Sequence, residues 1–127
     1  TNPGVWTLKD GSTTTAGGWA ALDAKTGAVQ WTTKDPGGSR AEAAVSGANG
    51  VIFGCNLDQV NGTMYALDAK TGKVLWSFNS GSGGSPFVTG VFGACNAGPS
   101  IADGMVFWGT GAFQGAPGPR KVFAFGL

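Results

Sequence analysis

The sequence predicts an all-β chain built from a repeated unit, and three observations carry that expectation. Residues 20–31 (AALDAKTGAVQW) and 65–76 (YALDAKTGKVLW) share the segment ALDAKTG at an offset of 45 residues. Short runs of β-branched and aromatic residues alternate with Gly, Asn and Asp turn signals. No stretch joins a 3.6-residue apolar period to helix caps, so almost no helix is expected.

The elements follow in chain order. Val51–Phe53, Met64–Leu67, Val74–Phe78 and Met105–Trp108 read as strands. NGVIFGC (49–55) repeats as DGMVFWG (103–109), and Asn49-Gly50 and Asp103-Gly104 read as tight hairpin turns. VFAFGL (122–127) is a third, truncated copy of MYALDA (64–69). Gly- and Pro-rich stretches at 36–38, 79–86 and 109–119 read as connecting loops. Repeats near this period go with propellers or solenoids.

DAKTG is a turn with a mechanism. The Asp68 carboxylate can accept from the N–H of Thr71 or Gly72, and Gly72 can take the positive φ that ends the turn. Val74 and Trp76 would then share a face. Asp23 and Asp68 admit a second role, as acids or metal ligands, but their recurrence with the whole turn favours turn-holding. Trp31 and Trp76, one per unit, read as packing anchors between units rather than cofactor-stacking groups; a buried indole N–H needs a partner.

Composition narrows the function. With 127 residues, 42% hydrophobic and 12% charged, the chain is not a disordered tail despite its 24 Gly. The net charge is +1 and no basic run exceeds Arg120-Lys121, so nucleic-acid binding is not expected. No apolar stretch reaches the length of a membrane span, and Thr1-Asn2-Pro3-Gly4 lacks signal-peptide regions, as expected of a processed or truncated start. There is no His, which excludes Ser-His-Asp and Cys-His catalysis and His-ligated zinc. The carboxylates are Asp10, Asp23, Asp35, Glu42, Asp58, Asp68 and Asp103.

The pattern Ala-x-Asp-x-x-Thr-Gly-x-x-x-Trp occurs as Ala21, Asp23, Thr26, Gly27 and Trp31, and again as Ala66, Asp68, Thr71, Gly72 and Trp76. It resembles the tryptophan-docking motif of quinoprotein β-propellers, the pyrroloquinoline-quinone (PQQ) dehydrogenases and their non-catalytic relatives. GGWAALDAKTGAVQWTTKDP, GTMYALDAKTGKVLWSFNSG and the late MVFWGTG are similar to polyvinyl-alcohol-dehydrogenase-like proteins, and the resemblance covers residues 17–127. It implies a β-propeller with four-stranded antiparallel blades. Residues 17–34 would be the outer strands of one blade, 41–79 a complete blade and 85–127 three strands of the last. About two to two and a half blades cannot close a ring that takes four to eight. The chain is therefore expected to be a C-terminal portion of a longer protein, or a segment completed by other chains.

Departures from the pattern bear on the cysteines. The repeat offset grows from 45 at the docking motif to 54 and then 58 at the later copies, and the first insertion holds Cys95. Cys55 and Cys95 are expected to form a disulfide between adjacent blades, which suits a periplasmic or extracellular protein; two free thiols are the alternative. The adjacent Cys-Cys pair of many PQQ enzymes is absent. Asn61-Gly62-Thr63 is a glycosylation sequon in a loop, with occupancy set by the host.

In the family the cofactor sits over the propeller axis, where inner strands start, near Ser39–Ala44 here. Arg40 for a quinone carboxylate and Glu42 for a metal ion are then the candidates, with Asn56 and Asp58 further out; a solvent-exposed loop pair is the alternative. GACNAG (93–98) could offer N–H groups to an anion. The implied activity is alcohol oxidation with PQQ and Ca²⁺, the quinone taking hydride from a small alcohol and a carboxylate taking the proton. Neither that carboxylate nor the metal set is assigned. The rival is a non-catalytic extracellular scaffold or interaction module.

Overall fold

The computed structural model describes residues 4–81, 93–111 and 120–126. The expected loops at 79–86 and 109–119 and the span 85–127 lie partly outside them, as does Leu127 of the third repeat copy. Among the described residues all regular structure is β. β1 (Trp6–Thr7) pairs with β2 (Thr13–Thr14), and β3 (Gly18–Leu22) pairs with β4 (Val29–Lys34). β5 (Ser46–Ala48), β6 (Val51–Cys55), β7 (Thr63–Asp68) and β8 (Val74–Asn79) form a four-stranded sheet in sequence order. β9 (Ser100–Ala102), β10 (Met105–Thr110) and β11 (Lys121–Gly126) form a three-stranded sheet. Every pairing is antiparallel.

Local chemistry accounts for the hairpins. Asn49 and Gly50 have φ of 51° and 77°, and Asp103 and Gly104 have 48° and 72°. Two successive positive φ values mark turns whose twist matches the strands they join, and Asn-Gly and Asp-Gly adopt them most readily. The two DAKTG hairpins also share a defect. The register shifts between Ala21 and Leu22 in one and between Ala66 and Leu67 in the other, so the repeat is one of backbone as well as sequence.

The period of two along β7 organises the core. Met64 and Ala66 point to one side, into a cluster with Phe53, Cys55, Cys95, Val106 and Trp108. Tyr65 and Leu67 point to the other, against Trp19 and Trp31 of the β3–β4 hairpin. The four-stranded sheet is thus packed on both faces, one against β3–β4 and the other against β9–β11. Met64 and Leu67 have no exposed surface, and truncating such a side chain to Ala costs about 2–5 kcal/mol.

The first strand of the four-stranded sheet starts at Ser46, whereas from the sequence an inner strand is expected to begin near residues 39–44. Residues 39–44 (SRAEAA) contain no β-branched or aromatic side chain to favour a strand. They are held as a connection instead. Gly17 N–H donates to Ser39 O at 2.8 Å and Leu57 N–H to Arg40 O at 2.8 Å.

Candidate functional site at the loop end of the sheets

The two ends of the four-stranded sheet differ in chemistry. One carries the DAKTG turns. Asp68 Oδ1 accepts from the N–H groups of Lys70 (3.0 Å) and Thr71 (2.7 Å) and from Thr71 Oγ1 (2.8 Å). Gly72 N–H goes instead to the Asp68 backbone carbonyl at 2.8 Å, which closes the turn. Asp23 does the same with Lys25 and Thr26. Hydrogen bonds from Thr26 and Thr71 hold the Asp23 and Asp68 carboxyls below the usual range. Gly27 and Gly72 have φ of 72° and 73°.

The tryptophans of the two units have different surroundings. Trp31 is buried and its Nε1 donates to Ala69 O of the neighbouring sheet at 2.9 Å. Beside it, Thr33 Oγ1 donates to Gly72 O at 2.7 Å. Trp76 is 40% exposed and meets Phe125 edge-on, with ring centroids 5.2 Å apart.

At the opposite end β4 and β6 finish and β7 begins, and there the polar side chains gather. Asp35, 1% exposed, accepts from Asn56 Nδ2 at 3.2 and 3.1 Å and from Ser39 N–H at 2.7 Å. Asn56 Oδ1 in turn accepts from Thr63 N–H at 2.9 Å. The Tyr65 hydroxyl also bonds Asp35; burial first, then the Asp35 charge, pushes its pKa up to about 12. This cluster joins residues 35, 39, 56, 63 and 65, and the buried carboxylate takes donors from three of them. Asp58 caps the adjoining loop, accepting from Val60 (2.9 Å) and Asn61 (2.7 Å) N–H groups and from Ser39 Oγ (3.3 Å).

Arg40 and Glu42 lie in the same connection and form an ion pair with each other, each about half exposed. The structure therefore brings the two candidates together and draws Asn56 into the separate buried network of Asp35. Asp35 and Tyr65 were not singled out in the sequence as site residues. The one local hint was Asp35-Pro36-Gly37, a turn-initiating run directly after a strand.

The disulfide Cys55–Cys95 is present, with Cα atoms 5.9 Å apart and both residues buried. It ties the end of β6 to the segment before β9. Alongside it, Cys95 N–H donates to Asn56 O (3.1 Å) and Gly93 N–H to Gln59 O (3.0 Å), which commits two of the N–H groups that GACNAG could offer an anion. Gly62 and Gly93 touch backbone to backbone: a Cβ on Gly62 would stand 1.5 Å from Gly93 O, so that residue must lack one. The middle residue of the Asn61-Gly62-Thr63 sequon is thus fixed by packing.

Among the described residues no three His, Cys, Asp or Glu side chains converge to hold a metal. With Asp35 satisfied by protein donors and Glu42 paired to Arg40, these residues do not by themselves fit a Ca²⁺ site. A quinone carboxylate fits better, since Arg40 is half exposed, though it would compete with Glu42.

Antiparallel sheets stacked face to face, with the four-stranded sheet packed between the other two, define part of a β-propeller. The PQQ_2 family model, described as outer membrane protein assembly factor BamB, matches residues 11–115, and the chain belongs to that family. Two solved structures are similar. A europium-containing methanol dehydrogenase matches with 23% identity and a TM-score of 0.60 over 84% of this chain and 19% of its own. The quinohemoprotein alcohol dehydrogenase from Comamonas testosteroni matches with 25% identity and a TM-score of 0.60 over 87% of this chain and 18% of its own. The chain therefore spans about a fifth of the structures it matches. No curated protein matches it. It is part of a β-propeller of the quinoprotein fold, and among the described residues no helix is long and apolar enough to cross a membrane.

Proposed function

We propose that the chain is a portion of a PQQ-dependent alcohol dehydrogenase of the polyvinyl-alcohol-dehydrogenase type, working outside the cytoplasm. The observation that carries this reading is the likeness to a quinohemoprotein alcohol dehydrogenase across 87% of the chain, joined to the two docking-type motifs at residues 21–31 and 66–76. In this reading residues 17–34 are outer strands of one blade, 41–79 a complete blade and 85–127 three strands of the last. Trp31 and Trp76 dock neighbouring blades, and the rest of the propeller is the principal partner. Bound PQQ would supply the hydride acceptor. Arg40 would orient one of its carboxylates, and Glu42 would give one ligand to a Ca²⁺ set completed by other blades. The Cys55–Cys95 disulfide supports an oxidising compartment, where Asn61 would carry a glycan only in a host that attaches one.

The polypeptide carrying this chain should bind PQQ with Ca²⁺ and reduce a dye when given an alcohol, polymeric alcohol included. Arg40→Ala should weaken quinone binding about tenfold, the scale of one charge-assisted contact. Absence of quinone absorbance after loading would sink the dehydrogenase reading. Turnover of small alcohols without the polymer would sink the polymer assignment alone. A second reading, a non-catalytic scaffold, is supported by the family model's description as an assembly factor. It expects stable capture of a protein partner with no quinone bound.

A further inference from the structure

The last sheet and the segment tied to it enclose a pocket of 380 Å³ where β10 ends and β11 begins. None of its lining residues belongs to the Asp35 cluster or to the Arg40–Glu42 pair. The segment is held in place from several directions. Ala94 and Asn96 flank Cys95, which the disulfide joins to Cys55 and whose N–H donates to Asn56 O at 3.1 Å. Gly111 N–H donates to Ala94 O at 3.1 Å, which ties the same segment to the end of β10. The rest of the lining includes Thr110 and Lys121, paired across β10 and β11, and Arg120 just before β11. A pocket built on covalent and backbone ties keeps its shape before a ligand arrives, which lowers the cost of binding.

The lining has the chemistry of an anion site. Arg120 and Lys121 line it and no carboxylate does. Arg120 is exposed and forms no ion pair among the described residues, whereas Arg40, the chain's other arginine, is held by Glu42. Thr110 is 5% exposed, and its Oγ1 has no hydrogen-bond partner among the described residues. A buried hydroxyl without a partner is costly and rare in folded proteins. An acceptor oxygen seated at the foot of the pocket would satisfy it. Asn96 adds a side-chain amide that can donate as well. A guanidinium fork suits a planar carboxylate, which can take two parallel N–H bonds. Ala94 and Val122 offer apolar surface to a carbon skeleton.

We propose that this pocket binds a small organic carboxylate. The anionic head accepts hydrogen bonds from the Arg120 guanidinium and from Thr110 Oγ1, with Lys121 adding positive charge beside them. The carbon portion lies against Ala94 and Val122. Inorganic phosphate shares the charge but has no use for an apolar wall, so the lining favours the organic acid. The site is separate from Arg40 and Glu42, and it rests on no reading of the quinone chemistry.

The test is calorimetric titration of the polypeptide carrying this chain with succinate, and separately with inorganic phosphate, at one fixed ionic strength. Succinate should bind saturably and more tightly than phosphate, and it should slow hydrogen exchange at residues 94–97 and 120–122. Arg120→Gln should weaken succinate about tenfold, the scale of one charge-assisted contact. Thr110→Val keeps the branched shape and removes the hydroxyl. It should weaken succinate by a similar factor while leaving the fold at least as stable, because a buried unpaired group goes with it. Arg40→Ala should leave succinate binding unchanged, which separates this pocket from the site proposed for the quinone. No saturable succinate binding by protein with native circular dichroism and an intact Cys55–Cys95 disulfide would overturn the proposal. Equal affinity in the parent protein, Arg120→Gln and Thr110→Val would place the ligand elsewhere, and loss with Arg40→Ala would place it at that arginine. Tighter binding of phosphate through Arg120 and Thr110 would reassign the pocket to phosphate. A failed quinone titration would leave succinate binding untouched, and failed succinate binding would leave the quinone reading untouched.

Discussion

Asp35 is the residue on which most of the polar end depends. Its carboxylate is buried and takes hydrogen bonds from Asn56, Ser39 and Tyr65, so removing it strands three donors at once. Asp35→Ala should cost about 3–5 kcal/mol in urea unfolding, the range for breaking a buried charged cluster from one side. Tyr65→Phe, which removes a single hydroxyl, should cost about 1 kcal/mol. Tyr65 is also the only tyrosine in the chain, so absorbance near the phenolate band reads it alone. Its pKa is raised from 10.0 to about 12 in the folded protein. The stabilisation that comes with the neutral phenol is complete below pH 10 and is lost as the pH climbs towards 12. A phenolate midpoint near 10 in a chain with native circular dichroism would refute this arrangement. None of it was legible in the sequence beyond the turn after β4, because residues 35, 39, 56 and 65 converge only once two sheets have packed. A carboxylate whose side-chain partners, Asn56 and Tyr65, lie far along the chain leaves little local pattern.

Among the elements, the repeated hairpins were the most legible, since their instructions are local: an Asp that fills its own turn, a Gly at positive φ, and alternation on the strand that follows. The inner strand was less so. SRAEAA lacks the side chains that mark a strand, and the tie from Leu57 to Arg40 that holds it as a connection is tertiary. The contrast between the two tryptophans gives a prediction at this scale. Trp31→Ala opens a buried site and frees Ala69 O, and should cost about 3–5 kcal/mol. Trp76→Ala removes a half-exposed ring with two aromatic neighbours and should cost about 1–2 kcal/mol. Equal losses in chemical denaturation would mean that the two sites are not distinguished as described. The disulfide closes a 40-residue separation, and loop-closure entropy assigns it about 4 kcal/mol. Cys55→Ala with Cys95→Ala should lower the urea midpoint accordingly, and a shift of under about a quarter of that would show the tie to be redundant with packing.

At the scale of the whole molecule, burial is graded from the middle sheet outwards. β7 is covered on both faces, while Val122, the counterpart of fully buried Met64, is 79% exposed on the outward side of the last sheet. Native-state hydrogen exchange should therefore be slowest at residues 64–67 and fastest in the β1–β2 pair, which is only two residues deep. Uniform protection would contradict a core centred on the four-stranded sheet. The repeat made the stacking legible, and the shortage of units pointed to a larger ring. Which faces stay open is a property of the packed sheets, not of any one segment.

The bond between Cys55 and Cys95 also bears on how the chain withstands cutting. Those two residues bracket the whole run from 56 to 94, which includes β7 and β8. A protease that nicks the backbone anywhere in that run leaves two pieces held by sulfur. On a non-reducing gel the nicked chain migrates as a single species, and reductant splits it. In a protease-rich surrounding, the last sheet would remain tethered to the one it packs against after the peptide bond between them has gone.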